Sequence, residues 1–312
     1  MEKSKKPIIQ FLNDFLDWLE VEKGLASKTQ ENYARFLKRF FDWLKVKKLQ
    51  NLKPDELSPK HIQDYRLFLA RHFNLKKSTQ IYYLIALRSL LTFFAKHDIL
   101  SLPPEKVSLP KRVLEREIRF LTLKDLEKLF SQPDTSKIQG IRDRAIMEVL
   151  FSTGMRISEL CSLNRDQIKI PPKIEEIEIS IIGKGGKIRP VYLSKRAVFW
   201  LKKYLEQRTD SQKALFISHK RKTYKDLRLT PRFIQKMIKK YALLAGLPPN
   251  TTPHVLRHSF ATDLLARGVD LKTIQEFLGH KTITATQIYT HVTSHRLKEV
   301  HKKFHGGKYL KI

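Results

Sequence analysis

Residues 254–280 read HVLRHSFATDLLARGVDLKTIQEFLGH. Apolar side chains recur in this stretch at helical spacing, and Gly279 follows the last of them. We therefore predict helices here, the last of them ending at Gly279. His254 and Arg257 are three residues apart, which places both side chains on one helix face, within reach of a single ligand.

His258 follows His254 by four residues, which is also the spacing of a zinc-binding helix. Val255, however, stands where such zinc proteases carry their glutamate base, and the sequence offers no evident third ligand. His258 is more simply explained as a residue that packs, or donates a hydrogen bond, beside Phe260. We expect no metal and no other cofactor.

His280 follows the predicted helix end, and a second helical run after it carries Tyr289. A phenol can attack phosphorus covalently, although its ordinary pKa of about 10 makes it a poor nucleophile at neutral pH. It then needs a nearby base, together with cations that stabilise the developing charge. Taken alone, Tyr289 is far more simply explained as a half-buried packing residue.

Upstream, the segment STGMRISEL places Arg156 two residues after Gly154, a predicted left-handed helix cap. From a turn that enters a helix, a planar guanidinium can bind phosphate oxygens with two parallel hydrogen bonds. Considered alone, an arginine in this position is more often a salt-bridge partner, and Glu159 is three residues on.

The segment EEIEISIIGKGGKIRPVYL differs from its helical surroundings. Two β-rich runs flank Gly-Lys-Gly-Gly, which predicts a hairpin whose glycines supply positive φ. Lys184 would then stand in the turn, and Lys187 is the reserve candidate for a functional lysine. A lysine in a solvated turn is ordinarily only a surface residue.

Charge is the unusual property of this 312-residue chain, because 61 Lys and Arg against 31 Asp and Glu give a net charge of +30. Such self-repulsion favours a polyanionic partner, and nucleic acid is the leading candidate. No apolar run is long enough to span a membrane. In the N-terminal segment MEKSKKPIIQFLNDF, charged residues interrupt the apolar stretch too early for a secretory signal. We therefore expect a cytoplasmic protein without membrane partners, whose single cysteine, Cys161, forms no internal disulfide.

The first hundred residues carry four amphipathic helical runs, the second beginning with a capping-box pair, Ser27 and Gln30, and the third with Ser58 before Pro59. Three prolines then interrupt helical pattern between residues 103 and 110. Residues 1–110 hold 20 basic and 12 acidic side chains, and residues 111–312 hold 41 and 19. Two basic domains favour two faces that close on a duplex, although one binding face on a generally basic surface also fits.

Four segments, TGMRISEL, GKGGKIRPVYL, residues 254–280 and TATQIYTHV, together resemble the tyrosine recombinases (phage integrase family), closest to the Xer type. The resemblance implies a mainly α fold with a small antiparallel sheet, forming a C-shaped DNA clamp. Its expected parts are a helical, SAM-like core-binding domain at 1–102, a linker at 103–117, and at 118–312 a mixed α/β catalytic domain with a subunit-docking tail.

The resemblance also implies roles for six residues. Arg156 and Arg257 would hold the non-bridging oxygens of the scissile phosphate. Lys184 would protonate the departing 5′ oxygen, and Tyr289 would be the nucleophile that forms a 3′-phosphotyrosyl link. His254 would assist proton movement and His280 would donate a hydrogen bond to a non-bridging oxygen. Glu159 is expected to orient its neighbours, and the tail after Tyr289 to dock on a neighbouring subunit or to be frayed.

These roles predict a metal-independent, site-specific DNA recombinase that cuts and rejoins strands through a Holliday junction. The expected partners are double-stranded DNA, a homotetramer or a heterotetramer with a second recombinase, and a DNA translocase. Chromosome dimer resolution is the favoured role, and the sequence leaves mobile-element integration or transposition open. Two other classes of protein also fit. A type IB topoisomerase would differ from a recombinase in the topology of its products. A DNA-binding protein with a decayed site would form no covalent adduct with DNA.

Overall fold

A computed structural model of the chain describes residues 1–110, 119–170, 172–183, 186–219 and 226–279. The chain divides into two units, Met1–Glu115 and Arg116–Ile312. Each unit has its own apolar core. The functional candidates all belong to the second unit.

Four helices build the first unit, as the sequence predicts. They are α1 (Leu12–Val21), α2 (Ser27–Val46), α3 (Pro59–Arg71) and α4 (Lys77–Lys96). Helix α4 is buried along much of its length, because α1, α2 and α3 all pack against it. Aromatic rings fill much of this core, with Phe15 and Phe93 meeting edge to face at 6.0 Å.

The starts of these helices confirm one capping prediction and correct another. Ser58 is the N-cap of α3 and Pro59 its first residue, as expected. Ser27 instead lies inside α2, whose N-cap is Ala26 without a side-chain cap. The capping-box prediction was wrong because the Gln30 side-chain amide donates to the Leu25 carbonyl, 2.8 Å away, and stabilises the preceding loop.

The chain that follows α4 continues to pack on the first unit. Leu102 and Val107 are buried in its core, and a short 3₁₀ turn at Pro104–Lys106 lies against α4. Residues 103–107, which the sequence assigns to a linker, therefore have defined positions on this unit.

The second unit is helical around one hairpin. Its elements are α5 (Leu123–Phe130), α6 (Ile138–Thr153), α7 (Ile157–Ser162), β1 (Ile177–Ile182), β2 (Ile188–Leu193), α8 (Lys195–Glu206), α9 (Pro231–Leu244), α10 (Pro253–Ala266) and α11 (Leu271–Leu278). Strands β1 and β2 pair antiparallel, with Ile182 opposite Ile188, and Gly186 in the turn has a φ of 75°. The predicted hairpin with glycine at positive φ is therefore confirmed.

Helix α6 runs through the middle of this unit, with α8, α10 and strand β2 packed around it. It buries charged as well as apolar side chains. Arg142 donates to the Asp143 carboxylate from Nε and Nη2, at 2.9 and 2.6 Å, and the Tyr241 hydroxyl donates to the other oxygen of Asp143 at 2.9 Å. These bonds compensate the two charges locally, as burial requires.

The observed architecture agrees with the expected fold class of a mainly helical chain with a small antiparallel sheet. Within the described ranges, no helix combines the length and the apolar character that a membrane crossing needs.

Candidate active site

The site begins where α6 ends. Gly154 terminates this helix with a φ of 58°, the left-handed conformation that the sequence predicts for it. A Cβ at this position would collide with the Phe260 ring of α10. Glycine is therefore required both by the backbone angle and by the close approach of α10. The turn that it makes sends the chain directly into Arg156, the N-cap residue of α7.

Glu159 fixes the position of Arg156. Its Oε2 accepts the backbone N–H of Arg156 at 2.7 Å, and its Oε1 accepts Nη1 of the same residue at 3.1 Å. The salt bridge expected from the three-residue spacing therefore exists. This ion pair is not an ordinary surface salt bridge, because the Glu159 side chain is only 4% exposed.

A second arginine, Arg189 of β2, binds the same carboxylate. Its Nη1 and Nη2 donate to Oε1 and Oε2 of Glu159 at 3.0 and 2.9 Å, a two-pronged ion pair. Burial, the largest influence, raises the pKa of the Glu159 carboxyl, but the bonds from Arg189 and from the Arg156 backbone, with both positive charges, lower the pKa below its ordinary value overall. Glu159 is therefore ionised at neutral pH.

Arg257 approaches the same place from α10. It is 6% exposed, and its Nη1 and Nη2 donate to the carbonyls of Gly154 and Leu278, each at 2.6 Å. Carbonyl oxygens carry no net charge, so these bonds orient the guanidinium without neutralising it. Arg257 thus joins the end of α6 to the end of α11.

Three arginines converge on the end of α11. Arg189 Nε donates to the Phe277 carbonyl at 3.2 Å, Arg257 to that of Leu278, and Arg156 Nη2 to that of Gly279 at 3.3 Å. The last carbonyls of a helix have no partner within the helix and lie at the negative end of its dipole, which explains their attraction for guanidinium groups. Gly279 ends α11, as predicted, and it does so in the left-handed conformation with a φ of 61°.

His254 lies in the first turn of α10, one helical turn before Arg257. Loss of hydration and, after it, the charges of Arg257 and Arg156 lower the pKa of the imidazole below its ordinary value. His254 is therefore neutral at pH 7 and able to accept a proton. Burial, with the neighbouring His254 and Arg257, lowers the pKa of His258 to about 4.

The structure brings together three of the six predicted residues: Arg156, His254 and Arg257. The other three, Lys184, His280 and Tyr289, lie outside the described residues. The reserve lysine, Lys187, is described, and its carbonyl accepts the Gly183 N–H at 2.7 Å. Among the described residues, no three His, Cys, Asp or Glu side chains form a group that could hold a metal ion.

Sequence reasoning missed Arg189, although the sequence carries a signal for it. Side chains two apart on a strand share a face, and Arg189 therefore shares the face of Val191 and Leu193, both buried. A charged residue in line with the apolar face of a strand needs a buried partner. Glu159, 30 residues earlier, could not be identified as that partner from local spacing.

The chemistry of this cluster follows from its charges. Arg189 and Glu159 balance each other, and two further guanidinium groups, of Arg156 and Arg257, are held in place from backbone and carboxylate oxygens. The local excess is positive, the groups are preorganised, and a neutral imidazole is adjacent. Such an arrangement favours a bound phosphate group and a transition state that gains negative charge there.

Comparisons with known proteins agree with this chemistry. The model of the phage integrase family matches residues 119–296, and that of the phage integrase N-terminal SAM-like domain matches residues 11–99. The tyrosine recombinase XerD of Listeria monocytogenes is 37% identical over 302 residues, covering 94% of this chain and 98% of the relative. The tyrosine recombinase XerC of Thermodesulfovibrio yellowstonii is 33% identical, covering 95% and 96%.

A solved structure with the same fold is that of the XerH site-specific recombinase bound to a palindromic difH substrate, a post-cleavage complex. The two chains superpose with a TM-score of 0.75 at 24% identity, covering 96% of this chain and 97% of that chain. Two family models and close relatives over nearly the whole length leave one assignment. The chain belongs to the phage integrase family and is a tyrosine recombinase, an enzyme that cleaves and rejoins DNA.

Proposed function

We propose that this chain performs site-specific recombination of the Xer type, in which Tyr289 cuts one strand of each of two paired duplexes and rejoins it to the other. The observation that carries the proposal is the convergence of Arg156 and Arg257 on the end of α11, directly before His280. These guanidinium groups are oriented before any phosphate arrives, which is the condition for stabilising a transition state without reorganisation.

The reaction assigned to this site is a displacement at phosphorus. The Tyr289 oxygen forms a bond to the scissile phosphorus while the bond to the 5′ oxygen breaks. The phenol proton passes to a base, for which the neutral His254 is suited, and Lys184 gives a proton to the departing 5′ oxygen. The product is a 3′-phosphotyrosyl link and a free 5′ hydroxyl. Attack by the 5′ hydroxyl of the exchanged strand reverses the same steps and needs no external energy source.

Arg156, Arg257 and His280 are assigned to the non-bridging oxygens. Gly183, the residue before Lys184, lies against the same cluster, since a Cβ added to it would stand 3.0 Å from Nη1 of Arg189. Gly279, the residue before His280, accepts a bond from Arg156. Gly183 and Gly279 thus lie against the arginine cluster, which supports the assignment of Lys184 and His280 to the same site.

The proposed assembly is a tetramer on two DNA sites, made of this chain alone or together with a second recombinase. Chromosome dimer resolution in the cytoplasm, with a DNA translocase as a further partner, is the favoured role, because the relatives that cover the chain are named XerD and XerC. Mobile-element integration uses the same chemistry, and the sequence of the target DNA distinguishes it from chromosome dimer resolution. The domain division at 1–102, 103–117 and 118–312 belongs to the same proposal.

Covalent capture tests the proposal. Nicked duplexes from a pool of random and genomic sequences lose a short 5′ fragment on cleavage, which traps the enzyme on its DNA. We expect an adduct that survives denaturation and maps by mass spectrometry to the peptide containing Tyr289. The Tyr289→Phe variant should bind the captured sequence and form no adduct. Capture by Tyr289→Phe, or no adduct with the unaltered enzyme, would contradict the proposal.

Product topology separates recombination from topoisomerase action. Two labelled copies of the captured site should exchange their flanking DNA. Relaxation of supercoils without exchange would identify a topoisomerase instead.

A further inference from the structure

Arg189, a residue of the hairpin, has bonding partners in two other parts of the site. Its two Nη atoms bind both oxygens of Glu159 in α7, and its Nε binds the Phe277 carbonyl in α11. The side chain is 12% exposed, so these contacts are largely shielded from water. One side chain therefore connects the hairpin, the start of α7 and the end of α11.

Two glycines are packed against this guanidinium. A Cβ on Gly183 would stand 3.0 Å from Nη1 of Arg189, and a Cβ on Gly279 would stand 3.1 Å from Cδ, Nε and Nη1. Both glycines immediately precede candidate residues, Lys184 and His280. Arg189 thus leaves little room for a side chain on either glycine and limits where their backbones can lie.

Arg189 influences a third candidate residue, Arg156, through Glu159. The carboxylate accepts the backbone N–H and Nη1 of Arg156, and Arg189 holds that carboxylate from the opposite direction. With Arg189 in place, Glu159 is neutralised by a partner other than Arg156. Without it, the full negative charge of Glu159 would fall on Arg156 and weaken the pull of that guanidinium on a phosphate.

We propose that Arg189 is a positioning residue for DNA cleavage, which acts through Glu159 and through the ends of the hairpin and α11 rather than by touching the scissile phosphate. This inference rests on the proposed function and adds a residue to it. Misplacement of catalytic groups by about 1 Å can cost about 10²-fold in rate, which sets the expected size of the effect.

The test compares covalent capture rates of the unaltered enzyme with Arg189→Met, Glu159→Gln and the double variant. Arg189→Met should reduce the rate about 10²-fold, with DNA affinity unchanged within about threefold. Because the two residues act as one unit, the double variant should be no more than about threefold slower than the slower single variant. Multiplied losses in the double variant, or an equal loss of affinity and rate, would overturn the proposal.

The conservative variant separates positioning from charge. Arg189→Lys keeps the positive charge but cannot make the two-pronged bond and reach the Phe277 carbonyl as well. We expect it to recover at most about a tenth of the unaltered rate. Recovery to the full rate would show that charge alone is needed and would overturn the geometric argument.

A pH profile gives a readout that a general loss of stability does not move. Arg189→Met removes the bond that lowers the pKa of Glu159 most strongly, so that carboxyl should protonate at higher pH than in the unaltered enzyme. The capture rate of Arg189→Met should therefore fall more steeply as the pH is lowered from 7. The double variant, which has no carboxyl at 159, should lack this extra fall, and its persistence would count against the proposal.

Arg228 provides the matched control, because it is also a partly buried arginine of the second unit. Its Nη1 donates to the carbonyls of Cys161 and Leu163 at 2.8 and 3.0 Å, at the far end of α7 from Arg156. Arg228→Met should lower thermal stability and keep the capture rate of the folded enzyme within about threefold. If Arg228→Met were as slow as Arg189→Met, a general structural effect would explain both.

The outcomes separate the two proposals. No adduct with the unaltered enzyme would contradict the proposed function itself. An adduct with the unaltered enzyme and an equally fast adduct with Arg189→Met would overturn the role of Arg189 alone.

Discussion

The two units of this protein bury different kinds of side chain. The first encloses aromatic rings, such as Phe15, Trp18 and Phe93. Among the described residues, Gln80 is its one buried polar side chain. The second unit buries guanidinium groups, those of Arg142, Arg144, Arg208 and Arg257. The first unit is stabilised by apolar burial of the ordinary kind, whereas the second also carries the cost of desolvating charge.

Burial of charge does not by itself identify the site. Arg142 is compensated by Asp143, and Arg208 by Asp210 at 2.5 to 2.9 Å. Arg257 donates to the Gly154 and Leu278 carbonyls, which lie at two helix ends. What distinguishes Arg257 is its place, because it joins the ends of α6 and α11 beside Arg156.

The largest loss of stability is expected where a buried ion pair is broken. Arg142→Met leaves the Asp143 carboxyl buried without its charge partner, and burial already raises the pKa of that group. We expect the free energy of unfolding to fall by about 3–5 kcal/mol. Chemical denaturation measures the loss, and capture by the remaining folded protein should be unchanged. A loss below about 1 kcal/mol would contradict this account of the pair.

Arg257→Ala should mainly reduce catalysis. Removal of one preorganised donor costs about 10²–10³-fold in rate, or about 3–4 kcal/mol. DNA affinity at fixed salt should change far less, since many phosphates contribute to binding. Capture kinetics and a binding titration check the split. Equal losses of rate and affinity would indicate that Arg257 only binds DNA.

Acid should destabilise the second unit through its histidines. Burial and the charges of Arg142 and Arg208 lower the pKa of His219 to about 4. Between pH 6.5 and 4 the unfolded chain therefore binds a proton there that the folded chain does not, and stability falls as the pH drops through this window. Denaturation at several pH values measures the fall. The His219→Gln variant should show a shallower one, and an unchanged slope would exclude His219 as a source of the acid sensitivity.

The smallest effect is expected in the apolar core of the first unit. Ile62 is 3% exposed, and Ile62→Val should cost about 0.5–1.5 kcal/mol. Hydrogen exchange should place the loss within Met1–Glu115 and leave protection in the second unit unchanged. Faster exchange throughout both units would show that the two cores are not independent.

Local signals in the sequence predicted local structure well. Gly154 and Gly279 end their helices in the left-handed conformation, and the hairpin forms around its glycines, because each feature depends on a few adjacent residues. The capping box at Ser27 and Gln30 failed because an amide can bind a loop carbonyl as well as a helix N–H. Residues 103–107 pack on the first unit, which a proline pattern alone does not reveal.

Part of the site could be predicted and part could not. Arg156, His254 and Arg257 stand in recognisable segments and lie together in the structure, and their catalytic roles stay predictions. The role of the α11 carbonyls and of Arg189 depends on contacts between residues 30 to 123 positions apart, which no local pattern encodes. Lys184, His280 and Tyr289 lie outside the described residues and stay predictions.

Arg156 and Arg257 are proposed to act on the negative charge of the scissile phosphate. A duplex that the enzyme captures can be made with a methylphosphonate at that linkage, which replaces one charged oxygen with a methyl group. On the ordinary phosphate, the unaltered enzyme should cleave about 10²–10³-fold faster than Arg257→Ala. On the methylphosphonate this ratio should shrink to about tenfold or less, because the charge that Arg257 stabilises is gone. An unchanged ratio would contradict the account.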